Sequence, residues 1–455
     1  MRRYVCAANR KKPMFKLTKK LVATAAALLA AGVAYAQDSG PLIELLIRKG
    51  VINDQEAEEL RAELLKDFAA NSPAGKLDLS SRVNRLTLAL DGRIRYQYDN
   101  ETTNSPGAAG PNNDRSRYRY RFRLAANALL SQNWSLGLRL ETANGATSTN
   151  DDFGAAGSTN FAKDGNVAYV GQFFIQYASN NAFGGAVDNF DVRLGKHAHP
   201  FFTPGVNGFW IDSDINFEGV SEQLTWFDAP AKGWNLALRG GQYILANNSR
   251  LTVGSSFTNT PSVMWVGQAE FSRQQVVEGN SYGTRVAPTF VAFSAPGIAS
   301  DVSTYDDLVS LILPVEHTIR VHERPLALYA TYGVNLSGDK RTAKLYPVGA
   351  NKPDYDTMFN AGLRYGATRN PGDWQVTAEY RSVEAGAYSG LLLDSDFGAG
   401  RTNVRGPIAS FSYNLTDAVN FTTTWFHAEN IDQASPSSVG YHKADVVQFD
   451  LSARF

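Results

Sequence analysis

Residues 115–124 read Arg-Ser-Arg-Tyr-Arg-Tyr-Arg-Phe-Arg-Leu, and no other stretch restricts the fold as tightly. Side chains of a β-strand point alternately to opposite faces. Arg115, Arg117, Arg119, Arg121 and Arg123 therefore share one face, and Tyr118, Tyr120, Phe122 and Leu124 share the other. The C-terminal residues repeat the pattern: Val447, Phe449, Leu451, Ala453 and Phe455 lie opposite Gln448, Asp450, Ser452 and Arg454. Each segment is a ribbon with one apolar side and one wet side.

The charges decide which side meets water. Near the middle of a bilayer a lipid-facing Arg costs roughly 2–4 kcal/mol in a β-barrel. Several in series would exceed the whole stability of a typical domain, ~5–15 kcal/mol. If these ribbons cross a membrane, the arginines face an aqueous lumen. Neighbouring segments agree: Leu86, Leu88, Leu90 and Ile94 oppose Arg85, Arg93 and Arg95, and Leu136, Leu138 and Leu140 oppose Arg139. The expected lumen-facing set is Arg93, Arg95, Arg117, Arg119, Arg121, Arg123, Arg139 and Arg193.

The chain begins with an export signal. Residues 1–36 hold eight Lys/Arg and no acid, an apolar run from Leu21 to Ala34, and a small-x-small site at Ala34-Tyr35-Ala36. The signal is complete from Met14 onward, so Met14 is the expected start. Without residues 1–36 the net charge falls from zero to about −8, which argues against a nucleic-acid partner. The single Cys, Cys6, leaves with the signal, so disulfides and thiol chemistry are excluded. Past the signal no apolar run approaches the ~18 residues of a spanning helix. A membrane would have to be crossed by a barrel.

Residues 37–76 form the one helical stretch. Leu42, Leu45 and Leu46, then Leu60, Leu64, Leu65 and Phe68, recur at helical spacing. Gly50 interrupts them and Asn53-Asp54 supplies a fresh N-cap, so two short helices are predicted, Pro41–Lys49 and about Asp54–Ala70. They read either as a periplasmic contact for oligomerisation or the cell wall, or as a small foot packed at the barrel base.

Residues 77–455 carry the barrel: about sixteen amphipathic segments follow Asn84, within the range of bacterial barrels. Links after odd-numbered segments are long and polar (Asp99–Asp114, Ala143–Val167, Ala198–Glu218, Ser337–Tyr355, Glu384–Arg401). Links after even-numbered ones are short (Leu130–Gln132, Asp228–Lys232, Thr368–Pro371, Leu415–Asp417), except around Ser272–Gly283. Long loops on one rim and tight turns on the other mark an outer-membrane barrel. Trp134, Trp234 and Trp374 each open a segment just after a short turn, where an interfacial girdle is expected.

The third long loop is aromatic and acidic. It runs through His197-Ala198-His199-Pro200-Phe201-Phe202, then Trp210-Ile211-Asp212-Ser213-Asp214, to Glu218. Folded inward, it would set Asp212, Asp214 and Glu218 across from the arginines, giving a constriction with a transverse field. Folded outward, it would pack on the rim against a neighbouring subunit. Ligand chemistry is thin: His197-x-His199 lacks a third metal ligand, Asp394-x-Asp396 lacks the rest of a calcium loop, and no catalytic spacing occurs among the six His. No enzyme activity, metal or cofactor is expected.

Taken together, Arg48-Lys49-Gly50-Val51-Ile52 with Glu56-Ala57, Arg115–Leu140, Asn216-Phe217-Glu218-Gly219-Val220, Pro371-Gly372-Asp373-Trp374 and the run Asp394–Gly406 resemble the bacterial "putative porin" family over nearly the whole mature length. The terminal aromatic, Phe455, resembles the signal read by the barrel-assembly machinery. The resemblance implies an all-β transmembrane barrel in the bacterial outer membrane, in contact with outer-membrane lipid. It also implies passive passage of small hydrophilic solutes or ions and a homotrimer. The basic wall adds an expected mild anion preference. The rival expectation is a structural barrel that tethers the membrane to the cell wall through its N-terminal helices.

Overall fold

The computed structural model describes residues 80, 82–105, 108–143, 148–154, 168–246, 262–294, 308–346, 355–432 and 441–455. The chain divides into two compact units, Met1–Ser80 and Ser81–Phe455. The signal, the Met14 start, the cleavage site and both N-terminal helices lie outside the described residues.

Among the described residues the second unit is one antiparallel sheet of sixteen long strands. They are β1 Arg85–Ser105, β2 Ala108–Leu129, β3 Trp134–Thr142, β4 Ala168–Asn181, β5 Val187–Ala198, β6 Asn216–Trp226, β7 Asn235–Ala246 and β8 Ser262–Val277. After these come β9, in two pieces (Asn280–Val286 and Thr289–Ser294), then β10 Val309–Val321, β11 Arg324–Asn335 and β12 Thr357–Gly366. The last four are β13 Trp374–Val383, β14 Val404–Asn414, β15 Val419–Asn430 and β16 Tyr441–Arg454. Each pairs with its neighbours in sequence, and β1 pairs with β16 from Asp91↔Arg454 to Asn104↔Tyr441. The sheet closes on itself, so it has no free lateral edge of the kind that must otherwise be protected.

The two-residue period sorts the side chains. Leu88, Ile94, Phe173, Leu238, Leu311, Leu363, Phe411 and Leu451 stand exposed on the outside. Arg95, Arg119, Arg121, Gln268, Glu270, Glu379, Arg381 and Gln448 are buried inside. A water-soluble domain has the reverse arrangement, and an exposed apolar face this extensive needs an apolar partner.

Turns on one rim are tight. The link expected to be long around Ser272–Gly283 is a two-residue turn, because β8 runs on to Val277 and pairs there with Asn280. Glu278 and Gly279 both take positive φ (50° and 73°), the backbone of a two-residue hairpin turn that matches strand twist. Trp134 lies 49% exposed beside its turn, and the Arg324 guanidinium covers the Trp374 ring at 4.6 Å. On the opposite rim the first loop differs from expectation. Asp99–Asp114 is largely strand, because the β1–β2 ladder continues to Ser105↔Ala108.

Candidate functional site

Three segments from the long-loop rim turn inward. The first, residues 148–154, carries a two-residue strand, Asp151–Asp152, that pairs with Arg119 and Tyr120 beyond the end of the β2–β3 ladder. The second, residues 199–215, is the aromatic loop. The third is residues 384–403.

The aromatic loop folds in because the far wall gives it apolar surface. Phe201, Phe209, Trp210 and Ile211 form one buried cluster with Met264, Val266, Val291, Ile312, Met358 and Val383 from β8 to β13. Trp210 is fully buried, and its indole N–H donates to the Phe202 carbonyl at 3.3 Å. Backbone anchors complete the attachment. The Phe202 N–H donates to Gln268 Oε1 (2.8 Å), the Val206 N–H to Glu379 Oε2 (2.7 Å), and Asn360 Nδ2 to the Pro204 carbonyl (3.3 Å). Gly205 takes φ +126° there; a Cβ would meet Asn360 Nδ2 and Glu379 Oε1, each at 2.9 Å.

The loop covers the inner face of β8 to β13, and open space lies against the arginine wall. The loop's acids face that space. Asp214 Oδ1 stands 3.8 Å from both Arg121 Nη1 and Arg123 Nη1. Asp212 joins the loop to the third segment: its N–H donates to the Leu392 carbonyl (2.8 Å), and its Oδ2 accepts the Ser395 N–H (3.3 Å). Burial pushes the Asp212 carboxyl up to about 7, and the nearby charge of Asp214 adds to this. Burial also raises Asp394, although Arg381 opposes it. Burial works the same way on Asp396, but Arg95 and Gln448 outweigh it and hold that carboxyl below its usual range. Asn207 Nδ2 reaches both Asp394 (3.4 Å) and Asp396 (3.5 Å).

The arginines divide by partner. Arg95 donates to Asp450 through Nε (2.7 Å) and Nη2 (2.8 Å), and to Asp396 through Nη1 (3.3 Å). Arg117 holds Asp99 at 2.8 Å and Arg119 holds Asp152 at 2.7 Å. Arg121 and Arg123 share Asp91 at 2.7 and 3.0 Å. Arg93 donates to the neutral amide oxygen of Asn150, and its nearest carboxylate is Asp450 at 3.6 Å.

Arg93 and Arg121 from one side, and Asn207, Asp212, Asp214 and Asp396 from the other, enclose a space of about 40 Å³. A chamber of about 660 Å³ bounded by Arg117, Arg119 and Asp396 adjoins it. Another of about 500 Å³ is bounded by Glu141, Thr149 and Asp214. Both chambers share lining residues with this space, Ser395 and Asp396 in one and Ser148 with Asp214 in the other, so the charged groups border one connected region of the lumen.

Three residues grouped with this site stand elsewhere. Glu218 is on the outward face of β6, its side chain 62% exposed and paired with Lys196 Nζ at 3.3 Å; the loop has already rejoined the strand at Asn216, and position 218 points away from the interior. Arg193 pairs with Asp191 at 3.3 Å on β5 and does not border the narrowing. Arg139 does not border it either; it pairs with Glu141 at 2.7 Å and donates to Asn216 at 3.2 Å. Sequence reasoning missed Asn150, Asn207 and the whole Asp394–Asp396 side. Asp91 and Asp99 share the inward period of Arg93 and Arg95, a signal already present in the sequence. His197 and His199 pack among rings: His197 lies edge-on to Phe174 at 6.1 Å, and His199 stacks on Phe201 at 6.2 Å. Burial lowers His199 to about 4. No cluster of three or more His, Cys, Asp or Glu suited to a metal occurs among the described residues.

A closed sixteen-strand sheet with an apolar exterior, a charged interior and inward loops defines a transmembrane β-barrel of the channel type. The sequence profile of the family described as "Putative porin" matches residues 68–234 and 292–455, and the chain belongs to that family. It is accordingly an outer-membrane β-barrel channel. No curated protein matches the chain. Similar solved structures include OprB of Pseudomonas putida at high pH, with 14% identity, 81% of this chain and 94% of that one covered, and a TM-score of 0.48. The outer-membrane channel DcaP of Acinetobacter baumannii gives 14%, 83%, 99% and 0.46. OmpF of Salmonella typhi in complex with daunomycin gives 11%, 83%, 100% and 0.46.

Proposed function

We propose that the chain is a porin through which small hydrophilic solutes diffuse passively down their gradients, with a mild preference for anions. The observation that carries this is the charged lumen, where Arg93 and Arg121 border the same space as Asp212 and Asp214. Selectivity follows from such rings of charge. Below about pH 7 Asp212 is protonated, and Asp394 and Asp396 are tied to Arg381 and Arg95. Arg121 is shared between Asp91 and Asp214, and Arg93, which donates to the neutral amide of Asn150, then supplies the excess positive charge at the narrowing.

The residue pattern supports a role for each N-terminal part, and the family resemblance one for the barrel. Residues 1–36 direct export, residues 37–76 form a periplasmic helical segment, residues 77–455 form the barrel, and Phe455 engages the barrel-assembly machinery. The working unit is a homotrimer.

Reversal potentials across a planar bilayer in a KCl gradient test the proposal. A chloride-directed potential supports it, and a clear potassium preference overturns it. Proteoliposomes should swell in an isosmotic solution of a small sugar; failure to swell removes the passive pore.

A further inference from the structure

The outer surface carries a furrow that the pore does not use. Its floor is made of three adjacent outward positions, Gly267 and Ala269 of β8 and, across from Ala269, Pro288 between the two pieces of β9. Its rim is made of Leu238, Phe290, Leu313 and Tyr332, each between 39% and 55% exposed. The space measures about 680 Å³, within the ~300–1,000 Å³ range of pockets that hold small ligands. The interruption of β9 does not open the wall. Register is kept on both sides, and the Ala269 and Ala287 N–H groups still donate across it to the Pro288 and Pro314 carbonyls. The furrow is a gap in side chains over an intact sheet. A Cβ built on Gly267 would meet nothing within 4 Å.

One cation stands on the same face. Arg273 follows Gly267 by six residues on β8, so it is outward as well, and it is exposed and makes no ion pair among the described residues. Six residues of antiparallel strand span about 20 Å. At the usual tilt of ~35–45° that is a vertical drop of roughly 14–16 Å, a little over half of the ~25 Å apolar band of an outer-membrane barrel. Gly267 therefore sits near mid-bilayer and Arg273 at the headgroup level of the tight-turn rim. The acyl chains of one leaflet run from its headgroups to mid-bilayer, about half of a ~30 Å hydrocarbon core, so a single lipid can span both positions.

We propose that this furrow binds one phospholipid of the leaflet on the tight-turn side, its acyl chain lying across Gly267, Ala269 and Pro288 and its phosphate on Arg273. Hydrocarbon fills the apolar trough, and the guanidinium supplies charge complementarity and direction. The site rests on the barrel spanning a membrane and is independent of which solute passes.

The test uses the full-length protein, extracted in non-ionic detergent, reloaded with phosphatidylglycerol and read by native mass spectrometry. Gly267→Phe fills the trough. Gly92→Phe is the matched control, because Gly92 is likewise outward on β1 with nothing within 4 Å of its Cβ. Wild type and Gly92→Phe should retain one phosphatidylglycerol per chain. Gly267→Phe should retain about tenfold less, and Arg273→Ala should also lose lipid. Heat-modifiable electrophoretic mobility confirms that each variant is folded. Equal retention by Gly267→Phe and Gly92→Phe overturns the site. Retention unaffected by Arg273→Ala overturns the assignment to that leaflet. A change in subunit number with Gly267→Phe, with lipid unchanged, assigns the furrow to a second copy of the chain and overturns the lipid.

Discussion

Arg381 Nη1 donates to Asp394 Oδ2 at 3.1 Å, and both residues are almost completely buried. The same guanidinium donates to Glu379 Oε1 at 2.7 Å and to the Val206 carbonyl. Glu379 in turn accepts the Val206 N–H and the Tyr329 hydroxyl. One strand-borne cation thus fastens both long inward loops to β13. Burial of such charges is costly unless every one is paired, so the junction forms as a unit.

Arg381→Met should therefore leave Glu379 and Asp394 without their cation. Removing one partner of a buried pair costs about 3–5 kcal/mol. The expected result is a lower melting temperature and a larger, noisier single-channel conductance as the loops detach. Unchanged conductance with the loops still protected from proteolysis would show that the aromatic cluster alone holds them.

Trp210→Ala separates that aromatic contribution. Truncating a fully buried Trp costs about 3–5 kcal/mol. Because Trp210 belongs to the loop and not to the wall, the barrel should persist while the narrowing widens. Larger sugars should then enter proteoliposomes in a swelling assay.

The acid response has a definite sign. Asp212 keeps its proton to about pH 7 in the folded loop, against a usual value of 3.8. Between those values the folded state binds the extra proton, so raising pH across that window weakens the loop junction and lowering pH strengthens it. Anion preference should likewise fall as pH rises through about 7. Asp212→Asn should lose the inflection; an inflection that persists would place the titrating group elsewhere.

Arg93→Ala should shift the reversal potential toward cations and raise conductance. Glu218→Gln should change neither, since Glu218 faces outward beside Lys196. The pair of variants distinguishes a local charge filter from a general effect of net charge.

Much of the barrel was legible in the chain. The inward direction of Arg93 and Arg119, the outward direction of Leu88 and Phe449, and the alternation of tight and long links all follow from a two-residue period and the positions of Gly, Pro and Trp. The aromatic loop was also legible as inward-folding, because solvent is a poor surrounding for Phe201, Phe209 and Trp210. The third inward segment was not. Tyr388, Leu392 and Leu393 pack into the same buried cluster, but the acidic part from Asp394 has the composition of an ordinary polar loop, and its pairing depends on Arg381, whose inward position on β13 says nothing about its partner.

Alternation along each strand is dictated by covalent geometry, and the chain alone determined which residues face lumen and which face hydrocarbon. Closure and convergence belong to the tertiary structure. Arg95 meets Asp450 only because β1 and β16 pair, and Asp212 meets Ser395 only because loops on opposite walls turn into one lumen. No local period encodes a contact between residues that far apart in sequence. The charges at the narrowing were therefore visible in the chain, while their pairing was set by the closed sheet.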